Sequence, residues 1–360
     1  MRIEAIRTAH FSLEMRRPMR TAIHATSHTE NVLVEVHAGG LAGQGAALAF
    51  SPGQARAVRH ALLDLAEGLE GEDAGQVRAL WARGWQRLNF TGQSGIGVLA
   101  LAALDTALWD LLARAAGMPL HRLLGSARAE LPVYAQGGWL ADPVEHVVEE
   151  ALDFQAQGFR HYKMRVGSPD WRADLRRVER VRDALDDDMR LMVDANQGWT
   201  VLDALAAARE LDQLDVYWLE EPVDAGELDG GARVAAASAT PVAAGETMFG
   251  TAGFRTLIER RLASILMPDL QHCAGPTGFL RVAAQAELAG LPISSHLFTE
   301  ASVHLLAAIP GALLVEYMPG WWDDLFDTPP AIAGGLIRPP DGPGLGVRFG
   351  EQAARTLERV

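Results

Sequence analysis

From about residue 131 the chain alternates short apolar runs with amphipathic stretches. Within 171–185, Trp171, Leu175, Val178, Val181 and Leu185 recur at helical spacing, with Arg172, Arg176, Glu179 and Arg180 between them. That spacing predicts a helix packed on a sheet. The short runs around it read as strands, and each stops at an ionisable residue: 190–194 at Asp194, 216–220 at Glu220, 242–246 at Glu246, 265–269 at Asp269, 293–296 at His296 and 313–316 at Glu316. Successive ends lie about 20–27 residues apart, the length that a strand, a loop, a helix and a return loop consume. Parallel strands built from such units close into a barrel whose strand C-termini share one mouth, so all six side chains are expected to converge there. Charged groups at apolar strand ends are costly unless paired or metal-bound. Solvated strand ends would account for one or two of these residues but not for the set.

The first 130 residues follow another pattern. Apolar runs at 32–37 and 46–50 flank Gly39, Gly40 and Gly43, which predicts a hairpin, and helical periodicity follows at about 54–68, 75–88 and 95–116. Gly117 is placed to end the last helix. The GLAGQG run at 40–45 has the glycines of a phosphate loop but lacks a strand–loop–helix context, so the hairpin reading is preferred. The division expected is a separate N-terminal α+β unit over residues 1–130 and a β/α barrel over 131–325.

Composition narrows the function. With 32 basic and 46 acidic side chains the net charge is −14, and no Lys/Arg-rich stretch opposes it, which argues against nucleic acid as a partner. The apolar stretch 98–116 is broken by Asp105, Thr106, Asp110 and Arg114, so it is expected to be a buried helix with no role in a membrane. The single cysteine, Cys273, permits no internal disulfide, and residues 1–17 contain no apolar segment of signal-peptide length. A cytoplasmic protein is expected.

Asp194, Glu220 and Glu246 offer three carboxylates from consecutive strands with no thiol or imidazole among them. Hard oxygen ligands of this kind select Mg²⁺, with Mn²⁺ as a substitute. Asp269 and His296 follow on the next two strands, where a carboxylate fixes the tautomer of an imidazole and raises its basicity, making His296 a candidate general base or acid. Glu316, one strand further, is a candidate hydrogen-bond donor to substrate if it stays protonated. Lys163 and Arg165 alternate along the run 159–165 and so share one face. Two cations beside a metal imply an anionic substrate, most simply a carboxylate.

The motifs HYKMRVG (161–167), VDANQGW (193–199), WLEEPV (218–223), AAGET (243–247), MPDLQ (267–271), SSHLFTE (294–300) and LLVEY (313–317) resemble those of the mandelate racemase branch of the enolase superfamily. The resemblance runs nearly end to end and includes PGLGV at 343–347. It implies an N-terminal capping domain over a modified TIM-like β/α barrel, with residues 326–360 returning to the cap. It implies magnesium at Asp194, Glu220 and Glu246, a catalytic dyad of Asp269 with His296, an electrophilic acid at Glu316 and a substrate contact at Asn196. The chemistry implied is removal of a carboxylate α-proton to give a metal-stabilised enediolate. The cap segments 19–28 and 49–52 match regions that cover the mouth, so Arg20, His24, Thr26 and Phe50 are candidate substrate contacts, and the polar character of 20–28 suits a polyhydroxylated acid. Trp321, Trp322, His272 and Cys273 are further candidates for the pocket wall. A homo-oligomer is expected by resemblance alone.

One departure bears on the reaction. The racemase pattern has Lys-x-Lys at the end of this strand, and here the second lysine is replaced by Arg165. A guanidinium is a poor proton acceptor, so a two-sided racemase site is incomplete unless Lys163 serves as the second base. The reading preferred is a Mg²⁺-dependent lyase in which His296 takes the α-proton of an acid sugar and then protonates the departing β-hydroxyl, giving a 2-keto-3-deoxy acid. Lys163 as base leaves racemisation, epimerisation or lactone cycloisomerisation open. A barrel that binds sugar acids without turnover is the third alternative, although a binder has no need of the Asp269/His296 pair.

Overall fold

A computed structural model describes residues 1–322 and 324–360. The N-terminal sheet is an antiparallel meander of β1 (Ile3–Arg20), β2 (Ala25–Ala38) and β3 (Leu41–Ala49). Gly39 and Gly40, at φ +60° and +73°, form the two-residue turn between β2 and β3, a conformation that L side chains avoid. The hairpin expected around these glycines is present. The long β1 is not marked by the sequence pattern, because its outer half buries only Met15 and Met19 and its charged residues face solvent.

Three helices follow, α1 (Pro52–Ala66), α2 (Val77–Arg87) and α3 (Ile96–Ala115), of which α1 and α3 cover the sheet and α2 packs on α3; the short α4 (Leu120–Leu123) comes next. Ser51 caps α1 by accepting the Gln54 N–H, and Pro52 sits where a missing N–H costs nothing. α3 is long and apolar enough to cross a membrane, but most of it is buried inside the molecule. Its approach to β3 explains the other glycines of the GLAGQG run. A Cβ on Gly43 would lie 2.1 Å from the Ala107 carbonyl oxygen, and one on Gly45 would lie 2.1 Å from that of Ala103.

The barrel follows as β4 (Leu131–Gln136), α5 (Val144–Ala156), β5 (His161–Arg165), α6 (Trp171–Ala184), β6 (Arg190–Asp194), α7 (Val201–Leu211), β7 (Val216–Glu220), α8 (Leu228–Ala237), β8 (Val242–Ala244), α9 (Gly250–Glu259) and β9 (Ile265–Leu266). Then come α10 (Pro276–Ala289), α11 (Thr299–Ala307) and β10 (Val315–Tyr317). β4 to β9 pair in parallel and in sequence order. Parallel bridges Leu266–Ile293, Asp269–His296 and Ile293–Ala312 carry the wall onward, and β10 closes it on β4. The interior is filled by a layer that includes Tyr134, Met192, Trp218, Met267 and Leu314. Two residues on from Met192 and Trp218, on the same strand face, stand Asp194 and Glu220. Period-two alternation thus turns a packed barrel floor into a polar mouth.

The C-terminal segment does two things. The hairpin β11 (Ile332–Ala333) and β12 (Leu336–Ile337) adds antiparallel to β4, so part of the segment belongs with the barrel. After α12 (Glu351–Ala354), β13 (Glu358–Arg359) pairs with β1 and so returns to the cap. Cap and barrel meet on hydrogen bonds as well as on apolar packing. Asp105 on α3 accepts the Thr277 N–H at 2.7 Å and its hydroxyl at 2.9 Å, and the Trp81 indole donates to the Ala274 carbonyl at 2.7 Å.

Candidate active site

Lateral register brings the acidic strand ends together. Arg165 pairs with Asp194 across β5 and β6, and Asp194 with Glu220 across β6 and β7. Glu246 stands beyond the end of β8, placed by Gly245 at φ +134°. A side chain at Gly245 would come within 2.7 Å of the Phe254 ring, so the turn in the AAGET motif requires glycine. Asp194, Glu220 and Glu246 are all buried, and each offers an oxygen within 4.8 Å of the others. Glu246 Oε2 accepts no hydrogen bond, and His296 Nε2 lies 3.4 Å from it. A buried carboxylate oxygen without a donor, within an all-oxygen triad, fits a hard divalent cation.

The two cations of β5 have different surroundings. Lys163 is fully buried, with Nζ 2.9 Å from each Glu220 carboxylate oxygen, 3.0 Å from Glu316 Oε1 and 5.0 Å from the centre of the Tyr134 ring. Burial pushes its pKa down, but Glu220 and Glu316 outweigh burial and raise it, so Lys163 is a held ammonium. It does not line the cavity, and it is poorly placed for the role of base left open by the sequence. Arg165 does line it, pairing with Asp194, donating to Asn196 Oδ1 at 3.0 Å and lying over the Trp139 ring.

His296 Nδ1 lies 2.8 Å from Asp269 Oδ2, the geometry of a carboxylate that fixes the ring and directs Nε2 toward the cavity. Asp269 is itself fixed by the N–H groups of Gln271 and His272. Burial depresses the imidazole pKa, but Glu246, Asp269 and Glu316 override it and raise it to about 10. Glu246 is the largest of these raising influences, so any ligand that neutralises it returns His296 toward the range where it accepts a proton. Glu316 departs from expectation. Burial favours its neutral form, yet Lys163, His296 and the Leu297 N–H at 2.7 Å bring its pKa to about 2. In this arrangement it is an ionised acceptor, and not the protonated donor suggested by its acidic neighbours.

These groups open into a cavity of about 330 Å³ between barrel and cap. Asn196 lines it, at φ +39° and with its N–H on Asp194 Oδ1. His24 and Phe50 reach it from the cap, their rings 5.3 Å apart, with Trp321 against Phe50 at 6.2 Å. Arg20 and Thr26 do not line it. Residues 19–28 form a hairpin tip in place of the expected loop, so alternation directs Met19 and Thr21 inward and Arg20 outward, while the Thr26 hydroxyl donates to the His28 carbonyl. Trp322 stacks on Phe298 and donates to Asn31 beneath the cap. His272 lines the cavity with Nδ1 on the Glu246 carbonyl, whereas Cys273 is buried outside it.

Relatives share this architecture. A family profile described as the mandelate racemase / muconate lactonizing enzyme N-terminal domain matches residues 3–125, and one described as enolase C-terminal domain-like matches 146–353. The chain belongs to the mandelate racemase / muconate lactonizing enzyme family. Among curated members it is 35% identical, over 96% of both chains, to 3,6-anhydro-alpha-L-galactonate cycloisomerase of Streptomyces coelicolor. It is 34% identical, over 81% of this chain and 73% of the other, to L-talarate/galactarate dehydratase of Salmonella typhimurium. The latter's structure with Mg and L-lyxarohydroxamate superposes with a TM-score of 0.94 at 30% identity, covering 99% of this chain and 93% of that one. A Streptomyces coelicolor racemase with bound magnesium gives 0.93 at 33% identity, covering 99% and 100%.

Several contacts around this enolase-superfamily site escape a reading of charge patterns. Gln271 accepts the Leu48 N–H at 2.9 Å and so ties a cap strand to the cavity rim. Thr247 lines the cavity and donates to Glu221, whose strained backbone, at φ +37°, follows directly on Glu220. Both residues fall inside the MPDLQ and AAGET motifs, where their position is the available signal.

Proposed function

We propose that this enzyme dehydrates an acid sugar to a 2-keto-3-deoxy acid. The observation that carries the reading is the asymmetry of proton-transfer groups: the Asp269/His296 dyad faces the cavity, while the opposite strand end presents Arg165, with Lys163 held on Glu220 and Glu316. His296 Nε2 takes the substrate α-proton. The C–O bond at the β-carbon then breaks, the leaving hydroxyl takes that proton from His296 and departs as water, and the enol product tautomerises to the keto acid. Asp269 holds the imidazole throughout, and Arg165 binds the substrate carboxylate. Asp194, Glu220 and Glu246 would hold Mg²⁺, or Mn²⁺ in its place, which would supply positive charge beside the reacting carboxylate. Dehydratases among the relatives support this reading.

Cycloisomerisation through the same enediolate is a second reading, favoured by the full-length match to a cycloisomerase. Incubation with Mg²⁺ and a panel of acid sugars and their lactones, read by carbonyl trapping and mass spectrometry, separates the two. Dehydration is expected to give a keto acid lighter than its substrate by one water. A product of unchanged mass, or α-deuterium exchange with inversion and no loss of water, would sink it.

A further inference from the structure

The two walls of the cavity differ in charge. The barrel wall carries the ionised groups that line it: Arg165, Glu246, Asp269 and His296. The cap wall is built mainly from Met19, Leu48, Phe50, Val58, Ile96 and Leu99, with Thr21, His24 and Gln54 as its polar members. No Lys, Arg, Asp or Glu from the cap lines the cavity among the described residues, since Arg20, the nearest candidate in sequence, is directed outward. The polar members are partly engaged already. Thr21 Oγ1 accepts the N–H groups of Ile23 and His24, and Gln54 Oε1 accepts that of Phe50 at 3.1 Å. His24 is the one titratable side chain the cap contributes to this wall among the described residues, and burial, its largest influence, lowers its pKa while Glu246 opposes the shift.

A substrate whose reacting carboxylate lies on the barrel wall extends its distal end toward the cap. A second carboxylate there would exchange part of its hydration for apolar side chains without meeting a Lys or Arg, which costs more than placing a hydroxymethyl or deoxy terminus there. We infer that the cap wall selects monocarboxylic acid sugars, aldonates and their deoxy or ring-bridged forms, over the dicarboxylic aldarates. The inference rests on the proposed acid-sugar chemistry for the orientation of the substrate, and it assigns Ile96 and Leu99 to specificity.

The test is binding, measured by tryptophan fluorescence with Mg²⁺ present, for aldonate and aldarate pairs matched in configuration, with turnover of each followed separately. The matched aldonate is expected to bind at least about tenfold more tightly in the pairs that bind, a difference near 1.4 kcal/mol. Ile96 is 42% exposed, so Ile96→Arg places a guanidinium on the cap wall without burying it, and the preference is expected to narrow by about tenfold or to invert. Gln54→Lys gives an independent second cation with the same expected direction. Aldarates that bind as tightly as their matched aldonates in the unmodified enzyme overturn the inference, even where keto acids form. Preference for aldonates without any dehydration leaves the inference standing and removes the proposed reaction. Failure of every acid in both classes to bind overturns the inference.

Discussion

At His296 burial and three carboxylates act in opposite directions, and the carboxylates prevail. The consequence is a ring whose readiness to accept a proton depends on the charge of Glu246, a metal-ligand candidate 3.4 Å away. His296→Asn removes proton transfer without removing a carboxylate of the triad. It is expected to lower kcat by about 10²–10⁴-fold or more, while calorimetric titration still detects Mg²⁺ binding. Unchanged turnover would exclude His296 as the acid/base. The residue types of the triad and dyad are legible in the sequence because each ends an apolar run. The pairing of Lys163 with Glu220 and Glu316 is not, because it depends on side chains from strands 57 and 153 residues apart in the chain meeting above Tyr134.

At the scale of elements, period-two alternation made the barrel strands readable, since one face packs a dry interior and the strand ends change to polar. β1 lacks that contrast over its outer half and so escapes recognition. The GLAGQG glycines show why composition alone misleads. Gly40 serves a turn, whereas Gly43 and Gly45 admit the backbone of α3. Gly45→Ala places a methyl 2.1 Å from the Ala103 carbonyl oxygen and is expected to destabilise by about 1–3 kcal/mol. Gly40→Asn, at φ +73° with nothing within 4 Å of the added Cβ, is expected to cost less than about 1 kcal/mol. Thermal denaturation of both variants checks the contrast, and equal losses would refute the packing role of Gly45.

The whole molecule works as two walls held against each other, because the cavity exists only where cap and barrel meet. Asp105 is central to that seam, taking both the N–H and the hydroxyl of Thr277, while the Trp109 indole donates to the same hydroxyl at 2.9 Å. Asp105→Ala leaves buried donors unsatisfied and is expected to cost about 2–4 kcal/mol. Because α3 also carries Ile96 and Leu99 on the cavity wall, KM is expected to rise more than kcat falls. Denaturant unfolding and steady-state kinetics check both parts. By itself the sequence determined the two-part organisation, the repeated βα unit and the ionisable set at the mouth, since apolar periodicity and the cost of charge at a strand end act locally along the chain. Tertiary structure alone decided which cap side chains face the substrate, that Arg20 and Thr26 do not, and that Glu316 is an anion paired with Lys163. Those outcomes depend on hairpin alternation, lateral register and the electrostatics of a shared buried volume, which bring together residues that no local pattern connects.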